Sequence, residues 1–264
     1  MSAASMAIPF TKASACGNDF LLIQSTVAPA DLPAVTRRVC HRHNGVGADG
    51  VEWLFPASQA DVEARLLNAD GSEAEISGNG TRCVAAYLCA ELGKHSVAIL
   101  TGAGLKVCTQ TARTGNRYEF ETAMGIADIG REFAVQTSSG EVRGIPVSIG
   151  NPHFVVFRDN FEPNWQVLSA EIQRDPRFPR GVNVEWVAVR ERGSIDVRFF
   201  ERGVGETQSS GTGSCASAVA AIVSGRADSR VRVNAPGGLQ WVRYEGEVFL
   251  RGPAELICRG EFFI

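Results

Sequence analysis

The sequence predicts an α+β fold with two pseudo-symmetric halves, each a curled, mostly antiparallel sheet around a central helix. One observation is a repeated segment, in which a Glu precedes a Ser by four residues and Gly-x-Gly and a small apolar run follow. The segment begins at Glu73 and again at Glu206, 133 positions later, which is about half of the 264 residues. This spacing indicates duplicated halves rather than a short-period repeat. The second observation is a series of short apolar runs between glycines, which predict strands, beside two Ala-rich runs, which predict the helices.

The duplication divides the chain into two predicted domains, an N-terminal half at 1–122 and a C-terminal half at 123–264. A chain of this length can give each half a core of its own. We expect roughly the last ten residues to pack back on the first half. The stretch 123–144, rich in Gly, Ser and Thr, is expected to hold the passage between the halves.

The first half begins with a predicted strand over 10–23, with a bend at Gly17-Asn18-Asp19 that presents Asn18 at the strand edge. Asp31 is positioned to cap a helix over 31–43, which has apolar residues at helical spacing. Further short apolar runs predict strands at 51–55, 64–68, 97–100, 105–109 and 118–121.

The second half repeats this style of structure. Pro152 fixes its own backbone and biases Asn151 toward an extended conformation, so the Asn151 amide is expected to be held in place. A short helix is predicted at 168–174. The predicted strands are 145–149, 154–157, 182–187, 194–200, 231–233, 240–244, 248–250 and 255–258.

The two repeated turns are Ser77-Gly-Asn-Gly80 and Ser210-Gly-Thr-Gly213. Each is followed by an apolar run that predicts a helix, so each turn should present unpaired backbone N–H groups and the positive end of a helix dipole. Such a helix end is a binding site for an anion. We therefore expect two anion sites, and our hypothesis is that they face one cleft.

Composition excludes several classes of function. The formal net charge is -3, from 26 basic and 29 acidic residues, and no basic run interleaved with aromatic residues predicts nucleic-acid binding. Residues 1–9 lack the charged and apolar regions of a signal peptide, and no apolar segment approaches the length of a membrane span. We expect a soluble, cytoplasmic protein with no nucleic-acid or membrane partner.

Seven cysteines are present, none in a Cys-x-x-Cys arrangement, and they are interpreted as buried thiols rather than disulfides or zinc ligands. The four histidines form no ligand cluster with acidic residues or cysteines, so no metal site is predicted. The glycine turns lack the Lys-Ser/Thr of a phosphate-binding loop and the downstream acidic residue of a dinucleotide fold. No cofactor is predicted.

An ordered set of motifs resembles the motif series of the diaminopimelate epimerase family and covers the chain from about Phe10 to its end. A single glycine turn would be weak evidence, but this many motifs in the family's order is a specific signal. The motifs are Gly17-Asn-Asp-Phe20, Asn68-Ala-Asp-Gly-Ser-Glu73, Gly78-Asn-Gly-Thr-Arg-Cys83, Gly150-Asn-Pro-His153, Val182-Asn183, Glu201-Arg-Gly-Val-Gly-Glu-Thr207 and Gly211-Thr-Gly213.

The resemblance implies an isomerase that needs no pyridoxal phosphate, interconverts LL- and meso-diaminopimelate on the route to lysine, and often forms a homodimer. The residues implied to bind the substrate, mainly its distal amino and carboxylate end, are Asn18, Asn68, Asn151, Asn183 and Arg202. Those implied to meet the reacting α-carboxylate are Gly78, Asn79, Gly211 and Thr212, with Glu201 and His153 lining the site. Helix N-termini for one carboxylate and an Arg for the other suit such a substrate.

The chain departs from the family at the catalytic positions, where the resemblance implies one cysteine before each Gly-x-Gly turn and this chain has Ser77 and Ser210. A serine hydroxyl is a far weaker acid than a thiol and needs a neighbouring base. Glu73 and Glu206 lie four residues upstream and are candidates to share the proton. Cys83 and Cys215 match cysteines inside the family's helices and are interpreted as packing residues.

Three explanations of the serines stay open. The chain is an engineered form that holds substrate without turnover, a natural epimerase with activated serines, or a protein that has moved to another reaction or to binding alone. The alternative functions are accordingly an isomerase, dehydratase or racemase of another small amino or hydroxy acid, or a catalytically silent binding protein.

Overall fold

The computed structural model describes residues 7–27, 29–161 and 163–264. Residues 1–6, part of the segment for which the sequence predicts no leader, lie outside the described residues. The chain divides into two compact units. The first runs to Thr122 and includes Gly252–Ile264, and the second is Ala123–Arg251.

The first unit contains two helices, α1 (Leu32–Cys40) and α2 (Gly78–Leu92), and a 3₁₀ turn at Ser25–Val27. Its strands are β1 (Ala7–Ala15), β2 (Asn18–Gln24), β3 (Gly50–Phe55), β4 (Val62–Asn68), β5 (Glu73–Ala74), β6 (Ser96–Thr101), β7 (Gly104–Thr114) and β8 (Arg117–Gly125). The last residues of β8 already belong to the second unit.

The second unit also contains two helices, α3 (Trp165–Ile172) and α4 (Gly211–Val223). Its strands are β9 (Asp128–Ile129), β10 (Phe133–Thr137), β11 (Gly140–Ser148), β12 (Pro152–Phe157), β13 (Asn183–Glu191), β14 (Ser194–Glu201), β15 (Gly205–Thr207), β16 (Arg230–Ala235) and β17 (Gly238–Tyr244). The final strand, β18 (Val248–Phe263), pairs first with β17 and then with β1.

The strand pairing repeats between the units in the same register. In the first unit β2 and β3 are parallel, with Phe20 opposite Gly50, and in the second β12 and β13 are parallel, with His153 opposite Asn183. Both residues of the second pair lie 133 positions after those of the first. Because side chains alternate along a strand, the shared register puts equivalent residues on equivalent faces. The predicted fold of two pseudo-symmetric halves is confirmed.

The two central helices are buried because their residues are small and apolar on nearly every side. Residues 83–86 of α2 have no exposed area and pack in the core of the first unit. Cys215 and residues 218–221 of α4 are equally buried in the core of the second unit. Most of each helix is buried, so neither can slide or rotate without opening cavities, and the first turn of each is held firmly.

The shorter helices α1 and α3 each bond to a buried tryptophan on a strand, and the contact is the same in both units. The Trp53 indole N–H donates to Thr36 Oγ1 at 3.0 Å, and that of Trp186 donates to Ser169 Oγ at 2.8 Å. All four residues are buried. Each tryptophan belongs to a Val-Glu-Trp sequence, at 51–53 and at 184–186.

Removing one of these hydroxyls tests this packing. Ser169→Ala should lower the free energy of unfolding by about 1–3 kcal/mol, because the buried Trp186 N–H loses its acceptor. Chemical denaturation measures the change. In a Trp186→Phe background the same substitution should cost much less, and an equal cost in both backgrounds would contradict the hydrogen bond as the cause.

Most predicted elements are present, and many of their boundaries differ by a few residues. The helix predicted over 31–43 is capped by Asp31 as expected but ends at Cys40, because His41 is extended. The helix α3 begins three residues earlier than predicted, at Trp165. The strands predicted at 248–250 and 255–258 are one strand, β18, in which Pro253 falls between the residues paired with β17 and those paired with β1.

Candidate functional site

In the first unit, the candidate site forms at the N-terminus of α2. Ser77 caps the helix with an extended backbone, and its Oγ accepts the Gly80 N–H at 3.1 Å. The first N–H groups of an α-helix have no intrahelical acceptor, so a helix end of this kind is suited to an anion. Gly80 is required there because a methyl group in its place would lie 2.1 Å from Glu52 Oε1.

A chain of amides fixes the side chain of Asn79 beside this helix end. Its Nδ2 donates to Asn18 Oδ1 at 2.8 Å, and the Asn18 Nδ2 donates to Asp49 Oδ2 at 3.0 Å. The buried Arg82 donates to Asn79 Oδ1 and, through Nε, to the Pro253 carbonyl at 3.2 Å. With both ends of its amide engaged, Asn79 has a defined orientation.

In the second unit, the equivalent site forms at the N-terminus of α4. Ser210 caps the helix, and its Oγ accepts the Gly213 N–H at 3.2 Å. The same hydroxyl donates to Glu201 Oε2 at 3.4 Å, and Thr207 Oγ1 donates to Glu201 Oε1 at 2.6 Å. Glu201 is therefore the carboxyl group that faces the Ser210 hydroxyl.

A second polar chain ends at α4. Glu185 Oε1 lies 2.7 Å from His153 Nδ1, and His153 Nε2 lies 2.9 Å from Asn151 Oδ1. The Asn151 Nδ2 donates to Thr212 Oγ1 at 3.3 Å. His153 and Glu185 are buried, and the contact with His153 orients the Asn151 amide.

The strand ends β13 and β14 bring Asn183 and Arg202 together. Asn183 Oδ1 accepts the backbone N–H of Arg202 at 2.9 Å, and its Nδ2 donates to the Pro152 carbonyl at 3.0 Å. The Arg202 guanidinium donates to the Arg180 carbonyl at 3.0 Å and its residue is exposed. Arg202 is thus the accessible cation of this group.

Burial raises the pKa of three carboxyl groups around the two helix ends. The pKa of Glu52 is raised to about 8. The pKa of Glu185 is raised by burial against the opposing effect of His153, and that of Glu201 is raised by burial against the hydrogen bonds from Thr207 and Ser210. Carboxyl groups with raised pKa values can accept and release protons near neutral pH.

The structure brings most of the predicted glycine and amide residues to the two helix ends. Gly78 and Asn79 are the first two residues of α2, and Gly211 and Thr212 those of α4. The amides of Asn18 and Asn151 reach Asn79 and Thr212, respectively. Asn68 is not joined to the others, because its exposed side chain donates to Ser72 Oγ at 3.0 Å.

Glu73 and Glu206 do not serve as the partners of the serines. Both are exposed, and Glu73 pairs with Arg65 while Glu206 accepts from Gln166 at 3.1 Å. They lie on the short strands β5 and β15. The carboxyl groups near the helix ends are instead Glu52, Glu185 and Glu201.

Sequence reasoning missed Glu52, Glu185, Arg82 and Asp49. The Val-Glu-Trp repeat could have identified the first two, since its copies are 133 positions apart, as are the two serines. Arg82 lies inside the motif Gly78-Asn-Gly-Thr-Arg-Cys83 but was given no role, and no repeat or motif marks Asp49.

Cys83 and Cys215 are buried inside the helices, and burial raises the pKa of the Cys83 thiol. Within the described residues, no cluster of three or more His, Cys, Asp or Glu side chains could hold a metal ion. In the same part of the chain, no helix has the length and apolar character needed to span a membrane.

Comparison with known proteins identifies the same family as the sequence motifs. The family model described as diaminopimelate epimerase matches residues 10–129 and 145–257. A diaminopimelate epimerase of Pelotomaculum thermopropionicum is 37% identical, covering 96% of this chain and 98% of its own. One from Desulforudis audaxviator is 38% identical over the same shares.

Solved structures of more distant proteins share the fold. A hydroxyproline epimerase of Agrobacterium vitis has a TM-score of 0.75 at 18% identity, covering 98% of this chain and 93% of its own. A phenazine biosynthesis protein of the PhzF family from Bacillus anthracis has a TM-score of 0.73 at 16% identity, covering 98% of this chain and 100% of its own.

Proposed function

Because the chain belongs to the diaminopimelate epimerase family, we propose that it interconverts LL- and meso-diaminopimelate by proton transfer at the α-carbon. The observation that carries this proposal is the pair of serine-capped helix N-termini, at Ser77 and Ser210, in a chain of this family. Each unit offers a hydroxyl beside backbone N–H groups at the start of a buried helix. Epimerisation requires that both hydroxyls reach one α-carbon from opposite faces.

The helix ends bind the reacting α-carboxylate in this proposal. The backbone N–H groups of Gly78 and Asn79 act from α2, and those of Gly211 and Thr212 from α4. Negative charge that develops on the carboxylate as the α-proton leaves is stabilised by N–H groups that are already oriented. This stabilisation acts in the transition state, where it raises the rate.

The distal end of the substrate carries an ammonium and a second carboxylate. The exposed Arg202 offers a forked cation for the carboxylate. Amide oxygens of Asn18, Asn68, Asn151 and Asn183 are suited to an ammonium group, since they accept hydrogen bonds without adding charge. These assignments follow the family resemblance, and the exposed position of Arg202 supports that residue most directly.

Proton transfer in the second unit uses Glu201 as well as Ser210. As Ser210 Oγ takes the α-proton, its own hydroxyl proton passes to the Glu201 carboxylate, which it already contacts. In this step the α-C–H bond is broken and Glu201 becomes protonated. The resulting carbanion is stabilised by the helix N-termini that bind the α-carboxylate. A hydroxyl next to a carboxylate is thereby made a workable base.

The remaining expectations come from the family resemblance. We infer a homodimer that acts in the cytoplasm on the route to lysine and needs no pyridoxal phosphate. Side-chain acid–base groups and helix N-termini supply the reaction's needs without an electron-withdrawing cofactor.

Isotope uptake tests the proposed function. Incubated with LL-diaminopimelate in D₂O, the protein should release the α-hydrogen, incorporate deuterium and form the meso isomer, as measured by NMR and chiral chromatography. Binding of diaminopimelate without exchange would contradict the epimerase function. It would instead support the second candidate function, a catalytically silent binding protein. The observation that favours this candidate is the presence of serines where the family has cysteines.

A further inference from the structure

We propose that Glu52 holds the proton that the first unit delivers to the reacting carbon, and that it passes this proton through the Ser77 hydroxyl. The inference rests on the proposed function and adds to it an acid for the first unit. Glu52 lies outside every motif that carries the family resemblance.

The position of Glu52 is the first support. It lies on β3 with its carboxyl against the first turn of α2, and only 3% of the residue is exposed. A methyl group added at Gly80 would lie 2.1 Å from Glu52 Oε1 and 3.3 Å from Ser77 Cβ. The carboxyl and the serine therefore flank the same glycine.

The equivalent residue in the second unit shows what is unusual about Glu52. Glu185 occupies the matching position on β13, where a methyl group added at Gly213 would lie 2.8 Å from its Oε1. Glu185 bonds to His153. In the first unit the position equivalent to His153, 133 residues earlier, is Phe20, whose side chain offers no hydrogen bond. Within residues 7–27, 29–161 and 163–264, Glu52 has no hydrogen-bond or ionic partner, so a buried carboxylate would be uncompensated there.

The surroundings of Glu52 favour its neutral form. Its paired neighbours are Leu22 on β2 and Leu66 on β4, both apolar. From α2 it faces Cys83, whose own raised pKa comes mainly from burial and partly from the Glu52 charge. Arg82 lies on the same turn of α2, and burial alone raises the pKa of Glu52 to about 8. Burial among apolar neighbours therefore favours the protonated form of Glu52.

With Glu52 protonated, the first unit holds an acid, whereas the ionised Glu201 makes the second unit a base. In the second unit Glu201 accepts the Ser210 proton as the α-hydrogen leaves. In the first unit the Ser77 hydroxyl proton bonds to the carbanion while the Glu52 proton moves to Ser77 Oγ. The products are a new C–H bond, a restored serine hydroxyl and a Glu52 carboxylate, so atoms and charge balance. A hydroxyl alone is too weak an acid for this step.

The first arm of the test measures protonation without any substrate. Because folding raises the pKa of Glu52 from 4.5 to about 8, the wild-type protein loses stability relative to Glu52→Gln as pH rises through that range. The ratio of the folding constants, variant over wild type, should grow by on the order of a hundred- to a thousandfold between about pH 4 and pH 9. Glu73→Gln replaces an exposed Glu and is the control, against which the change in the Glu52→Gln ratio is compared. A flat ratio for Glu52→Gln would overturn the inference.

The second arm measures deuterium exchange into diaminopimelate against pH. Wild-type exchange should fall above about pH 8, as Glu52 loses its proton. Glu52→Gln should lower the exchange rate at least tenfold and remove its decrease at high pH. Glu52→Asp should restore part of the rate and part of its pH dependence. Glu73→Gln should change neither the rate nor its pH dependence. An unchanged profile in Glu52→Gln would overturn the donor role while the epimerase function stands. Absence of exchange in the wild type would overturn both the function and the donor role, and the first arm would still report the protonation of Glu52.

Discussion

Replacing both cap serines by cysteine, Ser77→Cys with Ser210→Cys, should increase α-proton exchange into diaminopimelate by at least about a hundredfold. A thiol has a pKa of about 8.5, and a helix N-terminus lowers it further, so a thiolate base forms readily at each cap. Both caps already accept an N–H from the first helical turn, at 3.1 Å from Gly80 and 3.2 Å from Gly213. The measurement is the initial rate of deuterium incorporation by NMR.

The control for the double variant lies at the other end of the same helix. Ser224 caps the C-terminus of α4, and its Oγ donates to the Ala220 carbonyl at 2.7 Å. Ser224→Cys should leave exchange at the wild-type rate. Equal rates in the wild type and in the double variant would contradict the assignment of the caps as the acid–base groups.

Glu201→Gln should lower α-proton exchange by about 10²–10⁴-fold, because Ser210 loses the acceptor of its proton. The substitution keeps the shape of the side chain, and the carbonyl of the introduced amide can still accept from Thr207. Glu206→Gln is the matched control, since Glu206 lies nearer to Ser210 in sequence but is exposed and bonds to Gln166. A loss as large in Glu206→Gln as in Glu201→Gln would contradict the role given to Glu201.

The pH dependence of Glu201→Gln has a definite sign. Burial raises the pKa of Glu201 above its ordinary value of 4.5, and a base works only when ionised. Exchange by the wild type should therefore rise with pH through this raised pKa. The rising limb should be missing in Glu201→Gln and unchanged in Glu206→Gln.

The sequence predicted the fold and the centre of the site because both depend on local patterns. Gly-x-Gly after a serine and before an alanine-rich run predicts a capped, buried helix, and α2 and α4 begin there. The duplication at 133 positions predicted two similar units. Boundaries such as the end of α1 depend on loop contacts that no local pattern specifies.

The contacts that these carboxyl groups make could not be predicted in the same way, because the contacts depend on strand pairing. Glu201 reaches Ser210 because β14 ends beside the cap, whereas the nearer Glu206 lies on β15 and turns to solvent. His153 meets Glu185 across β12 and β13, whose parallel register is a property of the folded sheet. The raised pKa of Glu52 arises from burial, which the alternation of β3 alone did not reveal.

The distribution of deuterium between substrate and product tests most directly the claim that two different groups serve the two faces of one carbon. LL-diaminopimelate is converted in D₂O, and both isomers are recovered after a few per cent of turnover. With one group removing the proton and another delivering a second one, the meso product should carry deuterium at its new centre while the remaining LL substrate stays almost unlabelled. Equal labelling of both isomers, or a meso product that keeps the original hydrogen, would contradict the account.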